Sequence, residues 1–489
     1  MRKSGILLHI SSLPSPYGIG TFGKQAYDFV DFLHDTEQSL WQILPLGPTS
    51  YGDSPYQTFS AFANNPYFVD LDFLVQEGLL EKQDIINSND DDRYVDYKKL
   101  YDERFIILKK AFNRFNLSDY AFQEFVFSNR HWLPDYALFM ALKGYYKGEP
   151  WDTWDEDIRL RKPESMAYFK ETLKEEIQFH EFIQYKAYSQ WFALKKYANH
   201  KHVSFVGDMP IYVSYDSSDV WANPKYFQLD QERLPYFVAG VPPDNFSKDG
   251  QLWGNPLYDW DALEQDDYAW WVDRVKSAIE LFDQVRIDHF IGFRNYYSIP
   301  YGHTTARLGE WKKGPGIKLF EVIKKKLGDV NIIAEDLGAV TDEVRKLLKD
   351  SGFPGMKLLQ FAFDSREESD YIPHLYHHHI VAYTGTHDNE TTATWFSKLP
   401  KADLEYCLAY INCGKDQNPV DALIKATLQS VADTAIIPIQ DYLGLGDEGR
   451  MNVPSTTGNN WRWRLKSSEL TKELKNKIKS FTLLYGRGY

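Results

Sequence analysis

Short apolar runs recur along the whole chain, and amphipathic stretches follow most of them. Eight runs have the length and composition of buried strands. They begin at Ser4, Trp41, Val203, Gln284, Asn331, Met356, Ile380 and Ala435. Strands that alternate with helices form parallel sheets, and eight of them favour closure of the sheet on itself. The pattern therefore predicts an α/β fold, a (β/α)₈ TIM barrel.

Two of the intervening stretches have helical periodicity. Immediately before the third strand, apolar residues recur at helical spacing, namely Ile183, Ala187, Trp191, Leu194 and Ala198. Residues 341–348 have the pattern of a shorter helix after the fifth strand.

The strands are unevenly spaced, because two long connections interrupt the alternation. Residues 63–175 are polar and aromatic with helical character. Long insertions in this fold occur in the loops at the barrel mouth. This stretch is therefore predicted to be a helical insertion after the second strand. Residues 1–62 and 176–489 are then the catalytic barrel. Residues 212–283, rich in Gly, Pro and aromatic residues, are predicted to contain an ordered loop over a site.

Composition narrows the choice of partners. The net charge of −14 and the pI near 5.5 argue against nucleic acid and, more weakly, against an anionic membrane surface. Aromatic residues make up 16% of the chain. Most of these side chains are explained by core packing, but flat rings with a polar atom also bind sugars.

Cysteine is rare, with only Cys407 and Cys413 present. Two thiols in a chain of this length indicate a reducing compartment, and neither a disulfide framework nor a metal framework is expected. The sequence has no apolar stretch of bilayer-spanning length. A cytoplasmic location is therefore predicted.

Three carboxylates are the strongest candidates for chemistry. Asp288, Glu335 and Asp388 each lie at the end of a predicted strand. The carboxyl ends of barrel strands meet at one mouth. Carboxylates brought together there suit glycosidic bond chemistry, which requires a nucleophile and a proton donor.

Each of these residues also has a structural interpretation. Arg286 shares a strand face with Asp288 and would keep that carboxylate ionised, but the two could equally be a core ion pair. Burial would raise the pKa of Glu335 and make it a proton donor. The alternative role at that place is a helix N-cap, which the neighbouring Asp336 could also fill.

Asp388 follows His387 in the string GTHDNE. A capping Asp beside a surface His is the structural alternative. A His next to carboxylates could also indicate zinc or phosphate transfer. The run His377–His379 raises the same question. We predict a polar turn before the seventh strand there, because no other potential ligand has suitable spacing. No P-loop or dinucleotide motif is present, so no nucleotide cofactor is predicted. No metal is predicted either, because carboxylates can supply both the acid and the nucleophile.

The chain resembles the 4-α-glucanotransferases of glycoside hydrolase family 77, the amylomaltases or disproportionating enzymes. The resemblance extends over nearly the whole sequence. Its strings include SSLPSPYGIGTFG, WQILPLGPTSYGDSPYQTF, GDMPIYVSYDSSDVWANP, AGVPPDNFS, LWGNPLYDW, RIDHFIGF, IIAEDLG, GTHDN and DEGRMNVPSTTGNNWRWRL.

The resemblance implies a role for each matching residue. Asp288 corresponds to the nucleophile, Glu335 to the general acid/base and Asp388 to the transition-state stabiliser. Other matching positions imply contacts with substrate: Arg286 and His387 at the cleaved linkage, Asp208 and Trp253 on the donor side, Ser54 and Tyr56 at the mouth, Tyr51 in an outer glucan contact, Asp244 and Phe246 in a mobile loop, and Asn452 in the C-terminal string.

The activity implied is a retaining transfer between α-1,4-glucans such as maltooligosaccharides, with a covalent glucosyl-enzyme. For retention the carboxyl groups of Asp288 and Glu335 should lie about 5–5.5 Å apart. An α-amylase-type hydrolase is the nearest alternative, because it shares the barrel and the triad. A non-catalytic glycan-binding scaffold is the other, although pure binding does not need three carboxylates.

Three positions depart from the family pattern. They are Ile291, where Arg is frequent; Asn245, where an aromatic residue is usual; and Ser455, which replaces Gly. None of them is one of the three carboxylates. Asn245 lies in the predicted mobile loop, so this change affects the expected balance between transfer and hydrolysis.

Overall fold

The computed structural model describes residues 2–50, 52–85, 93–243, 247–338 and 340–489. Within these residues there are twelve strands and eighteen α-helices. The strands are β1 (Lys3–Leu7), β2 (Leu40–Gln42), β3 (Ser204–Pro210), β4 (Phe237–Val241), β5 (Gln251–Pro256), β6 (Gln284–Asp288), β7 (Asn295–Pro300), β8 (Glu310–Lys313), β9 (Ile332–Ala334), β10 (Gly355–Leu358), β11 (Ile380–Tyr383) and β12 (Thr434–Pro438).

The helices surround and extend the sheet. They are α1 (Lys24–Asp35), α2 (Leu71–Gln76), α3 (Tyr97–Arg114), α4 (Tyr120–Ser128), α5 (Leu133–Tyr145), α6 (Glu156–Arg159), α7 (Pro163–Thr172), α8 (Lys174–His200), α9 (Ser218–Ala222), α10 (Trp260–Gln265), α11 (Ala269–Leu281), α12 (Ile317–Leu327), α13 (Asp342–Ser351), α14 (Thr392–Lys398), α15 (Lys401–Tyr410), α16 (Pro419–Gln429), α17 (Ile439–Leu443) and α18 (Lys472–Leu484). Among the described residues, no helix has both the length and the apolar character needed to cross a bilayer.

Eight strands form one parallel sheet in the order β10-β11-β12-β1-β2-β3-β6-β9. Its two edge strands meet, because the N–H of Ala334 at the end of β9 donates to the carbonyl of Pro354 just before β10, at 2.9 Å. Each of the eight strands overlaps one of the apolar runs identified from the sequence, and each begins within two residues of the predicted start. The predicted TIM barrel is confirmed.

Helix α8 shows why the helices pack on the barrel. Its Trp191 is fully buried, and the ring lies 4.6 Å from that of Phe205 on β3 and 5.3 Å from that of Phe22. The indole N–H donates to the carbonyl of Leu281 at 3.0 Å, so its one polar atom is satisfied. The helix predicted from residues 183–198 is thus confirmed, and its apolar face covers β3.

Helix α13 confirms the shorter helix predicted over residues 341–348. The hydroxyl of Thr341 caps it by accepting from the N–H of Val344 at 3.3 Å. Asp336 does not fill the N-cap role suggested by its position. Its carboxylate instead accepts from the N–H of Met356 on β10 at 2.7 Å, and so it ties two neighbouring strands together.

Helices α2 to α7 lie between β2 and β3, in the stretch predicted as a helical insertion. Helix α8 follows α7 directly and joins both regions. Its N-terminal half packs Phe182 against Phe112 of α3, with ring centroids 5.7 Å apart, while Trp191 packs on the barrel. Since one helix serves both cores, the division at residues 63–175 stays a prediction.

A second sheet was not predicted. Strands β4, β5, β7 and β8 form an antiparallel sheet in the order β5-β4-β7-β8. Residues 212–283 therefore contain strands β4 and β5 and helices α9 to α11, elements that were not identified from the sequence. Pairing of β4 with β7 buries Val238 and Ile299, and the sheet carries Trp253 on β5.

Candidate active site

Arg286 joins two carboxylates at the mouth of the barrel. It lies two residues before Asp288 on β6, so both side chains face the same way. One guanidinium nitrogen, Nη1, donates to both oxygens of Asp208, at 2.8 and 2.7 Å, and Nη2 donates to Oδ1 of Asp288 at 2.9 Å. Adjacent strands β3 and β6 thereby place these three residues together.

The charges of this cluster are interdependent. Burial raises the pKa of Asp208, and the Arg286 charge opposes that rise. Burial alone would lower the pKa of Arg286, but Asp208 and Asp288 hold it well above its usual range. The guanidinium is therefore a fixed positive charge. The Asp288 side chain is 28% exposed against 4% for Arg286, so the carboxylate is the part that substrate can reach.

Glu335 is in a different environment. It follows β9 directly, is only 7% exposed, and accepts hydrogen bonds from two backbone N–H groups. His289 N donates to Oε2 at 2.7 Å, and Leu337 N donates to Oε1 at 2.9 Å. Burial raises its pKa to about 8, although the Arg286 charge and these N–H groups act in the opposite direction. Glu335 therefore retains its proton at neutral pH.

Asp388 lies in the loop after β11 and is held by its neighbours. Asn452 Nδ2 donates to Oδ1 at 2.6 Å, and His387 Nε2 lies 3.3 Å from Oδ2. Burial favours a higher pKa for Asp388, but the charge of His387 and the hydrogen bond from Asn452 hold it below its usual range. Its side chain is 42% exposed, which leaves an ionised carboxylate open to the mouth.

Tyr56 connects opposite sides of the mouth. Its hydroxyl donates to Oδ2 of Asp208 at 2.7 Å and lies 2.8 Å from Nε2 of His387. A hydroxyl has one proton, so the Nε2–H of His387 is the donor in the second bond. The Tyr56 and His387 rings also stack, with centroids 5.3 Å apart.

Trp253 and Ser54 lie in the same region, where Trp253 makes a ring contact and Ser54 makes a hydrogen bond to the backbone. The indole of Trp253 lies edge-on to the ring of His289, with centroids 4.8 Å apart. The hydroxyl of Ser54 accepts from the N–H of Tyr56 at 3.2 Å and so shapes the turn before Tyr56. Gln57 ties this loop to β5 by donating to Oδ1 of Asn255 at 3.1 Å.

Three predicted substrate-binding residues, Tyr51, Asp244 and Phe246, lie outside the described residues, as does the departure at Asn245. The other seven substrate-binding residues and the three carboxylates are described. Ten predicted residues from separate parts of the chain thus have known positions. Those with direct mutual contacts are Asp208, Arg286, Asp288, Ser54, Tyr56, His387, Asp388 and Asn452.

Two residues of this region were not predicted from the sequence. His289 has a left-handed φ of 52°, rare for a residue with a side chain, and presents its N–H to Glu335. Trp461 lies 5.7 Å from Tyr56 and 5.9 Å from His387 between ring centroids. His289 could have been identified from the sequence because it directly follows Asp288. The only sequence signal for Trp461 was its place in a string that matches the family.

Among the residues that the structure describes, no group of three or more His, Cys, Asp or Glu side chains is arranged to hold a metal ion. The histidine run lies in a bend directly before β11. Its His379 Nε2 is 2.9 Å from the carbonyl oxygen of Gly352. The polar-turn interpretation of His377–His379 is confirmed.

Two departures from the family pattern have structural consequences. Ile291 is buried, at 4% exposure, in a short 3₁₀ helix, Phe290–Phe293, so an apolar side chain fits there. Ser455 has φ 63°, a left-handed conformation that glycine adopts without steric cost. The replacement of Gly by Ser therefore puts local strain in the loop that follows Asn452.

Removing the Arg286 charge should destabilise the barrel. In Arg286→Met, Asp208, whose side chain is 0% exposed, loses its cation. We expect the free energy of unfolding to fall by about 3–5 kcal/mol, measured by urea unfolding followed by circular dichroism. The matched control is Arg345→Met, which removes an ion pair with Asp370 from a side chain that is 51% exposed and should cost less than about 1 kcal/mol. Equal losses in the two variants would contradict the assigned role of Arg286.

Comparison with known proteins gives a consistent result. Residues 8–471 match the profile of glycoside hydrolase family 77, described as 4-alpha-glucanotransferase. The chain is 50% identical to the 4-alpha-glucanotransferase of Clostridium butyricum over 98% of this chain and 100% of that one. It is 46% identical to the 4-alpha-glucanotransferase of Thermus thermophilus over 96% of each chain.

Solved structures extend the comparison to three dimensions. The amylomaltase from Streptococcus agalactiae in complex with acarbose superposes with a TM-score of 0.97 at 43% identity and covers 100% of both chains. The amylomaltase from Corynebacterium glutamicum shares the fold, with a TM-score of 0.80 at 17% identity, and covers 98% of this chain and 75% of that one.

Proposed function

The chain belongs to glycoside hydrolase family 77, the 4-alpha-glucanotransferases, and we propose that Asp288, Glu335 and Asp388 perform its transfer of α-1,4-glucan segments by a retaining double displacement. The observation that carries this assignment is the contrast between two carboxyl groups. Asp288 is paired with a guanidinium and partly exposed, whereas burial raises the pKa of Glu335 to about 8. Retaining enzymes use such a pair as nucleophile and acid.

In the first step Glu335 gives its proton to the oxygen of the linkage that breaks. The carboxylate of Asp288 attacks the anomeric carbon, and a covalent glucosyl-enzyme forms as the first glucan fragment leaves. In the second step Glu335, now a base, takes the proton from the 4-hydroxyl of an acceptor. That oxygen attacks the anomeric carbon, releases Asp288 and retains the original configuration.

Asp388 stabilises the positive charge that develops on the sugar ring, since its carboxylate is ionised and open to the mouth. Arg286 and His387 hold the sugar at the cleaved linkage, Asp208 and Trp253 line the donor side, and Tyr56 lies at the mouth. Ser54 supports Tyr56. Tyr51, Asp244 and Phe246 keep the roles that the family resemblance implies, in an outer contact and in the loop.

Water can replace the acceptor hydroxyl in the second step, which would give hydrolysis. An α-amylase-type hydrolase is therefore the second candidate, because the first step is shared. The aromatic side chains near the mouth, including Tyr56, Trp253 and Trp461, favour transfer, because flat rings bind sugars and limit access of water.

Products from maltotriose test the function. A transferase is expected to yield glucose together with maltopentaose, or maltose together with maltotetraose, whereas a hydrolase yields only glucose and maltose. The measurement is chromatography of the products at early time, when less than about a tenth of the substrate has reacted so that secondary products are few. Absence of any product longer than maltotriose would contradict transfer, and binding without any product would favour the glycan-binding scaffold.

Three further proposals complete the picture. We propose maltooligosaccharides and other α-1,4-glucans as the substrates of this chain, in keeping with its family. Residues 63–175 are proposed as a helical insertion beside the catalytic barrel. A cytoplasmic location is proposed from the scarcity of cysteine in the sequence.

A further inference from the structure

Asn452 lies on a segment that regular secondary structure does not fix. Residues 450–460 contain neither helix nor strand. Even so, its amide donates to Asp388 at 2.6 Å, a short bond to a charged group. A contact of this kind is effective only when the donor stays in place. The segment must therefore be anchored near Asn452 by side-chain contacts.

Arg450 provides such an anchor on both sides of the Asp388–Asn452 contact. Its Nε donates to the carbonyl oxygen of Asn452 at 2.9 Å. Its Nη1 donates to Oε1 of Glu390 at 3.2 Å. Glu390 follows Asp388 by two residues. The Arg450 guanidinium therefore binds both segments that the Asn452–Asp388 hydrogen bond joins. The Arg450 side chain is only 18% exposed, which limits competition from water.

Together these contacts form a closed ring. It runs from the Asp388 carboxylate to the Asn452 amide, through the Asn452 carbonyl to Arg450, on to Glu390 and back along the chain to Asp388. Glu390 is itself held, because its backbone carbonyl accepts from Gln360 Nε2 at 3.0 Å. Gln360 lies just after β10, so the ring is attached to the barrel itself.

We propose that Arg450 is a positioning residue, which acts through Asn452 to keep the Asp388 carboxylate oriented. The inference rests on the proposed role of Asp388 in the transfer reaction. A planar guanidinium can hold a carbonyl and a carboxylate in two fixed directions at once, whereas an ammonium group is a single point of charge. Lysine at this position would therefore keep the charge and lose the geometry.

Arg450→Lys is the direct test. We expect kcat for maltotriose disproportionation to fall by about 10- to 100-fold, the scale of a small misplacement in an active site. KM should change by less than about threefold, because the interaction is lost mainly in the transition state. An unchanged kcat, or a loss confined to KM, would overturn the proposal.

A double-mutant cycle separates positioning from general stability. If Arg450 acts through Asn452, adding Arg450→Lys to Asn452→Ala should lower kcat little beyond Asn452→Ala alone. Full multiplication of the two losses would show that Arg450 acts by another route. Glu390→Gln is a second variant to combine with Asn452→Ala, since it keeps an acceptor for Arg450 but removes the charge. It should lower kcat less than Arg450→Lys does, and it should cause no further loss in the Asn452→Ala background.

Lys398→Ala is the matched control. Lys398 also pairs with Glu390, at 2.5 Å, but its side chain is 55% exposed and it contacts the carboxylate from outside the ring. Its removal should leave kcat and KM unchanged, and a loss equal to that of Arg450→Lys would overturn the proposal. Failure of the proposed function would give a different result. Neither the unaltered enzyme nor Lys398→Ala would then form any oligosaccharide longer than maltotriose.

Discussion

Asp288→Asn is expected to abolish transfer between maltooligosaccharides, with a fall in kcat on the order of 10⁴-fold or more, as for other nucleophiles. The amide is uncharged and cannot form the glycosyl ester on which the second step depends. It can still accept from Arg286, whose Nη2 donates to Oδ1 of Asp288 at 2.9 Å, so the fold should persist. The measurement is glucose release from maltotriose, with circular dichroism to verify folding.

The matched control for this variant is Asp261→Asn. Asp261 is exposed on α10, and the same loss of charge there should leave kcat unchanged. A folded Asp288→Asn enzyme that retained more than about a tenth of the normal rate would exclude Asp288 as the nucleophile.

Glu335→Gln is expected to have the second largest effect, and a pH profile identifies its cause. Glu335 must be protonated to act as the acid, and burial raises its pKa to about 8. In the unaltered enzyme kcat/KM for maltotriose should therefore be maintained below pH 8 and fall as pH rises through that value. The variant should lose at least about 10³-fold in kcat/KM, and this alkaline fall should disappear from what activity is left.

A donor with a good leaving group isolates the first step. Fluoride leaves without a proton, so an α-maltosyl fluoride donor should still release fluoride in Glu335→Gln, in a burst followed by slow turnover, because the second step lacks its base. Glu321→Gln, an exposed change on α12, should behave like the unaltered enzyme. If Glu335→Gln kept the normal alkaline fall with maltotriose, another group would be the acid.

The barrel was predictable because its signal is local. Each barrel strand is buried, so its sequence is a short apolar run that can be recognised without knowing its neighbours. Trp191 likewise marked the buried face of α8 by helical spacing. The antiparallel sheet gave no such signal, since β4 pairs with β7 across more than one intervening element, and alternation was interrupted by Gly and Pro.

The sequence by itself determined the eight strands, the three carboxylates at or just after their ends, and the family strings. It could do so because parallel strands direct their carboxyl ends to one rim, whatever the details of packing. Only the tertiary structure decided which groups touch. Tyr56 meets His387 across 331 residues, and Asn452 meets Asp388 across 64. Such contacts depend on where loops fold in space, and no periodicity along a chain records that.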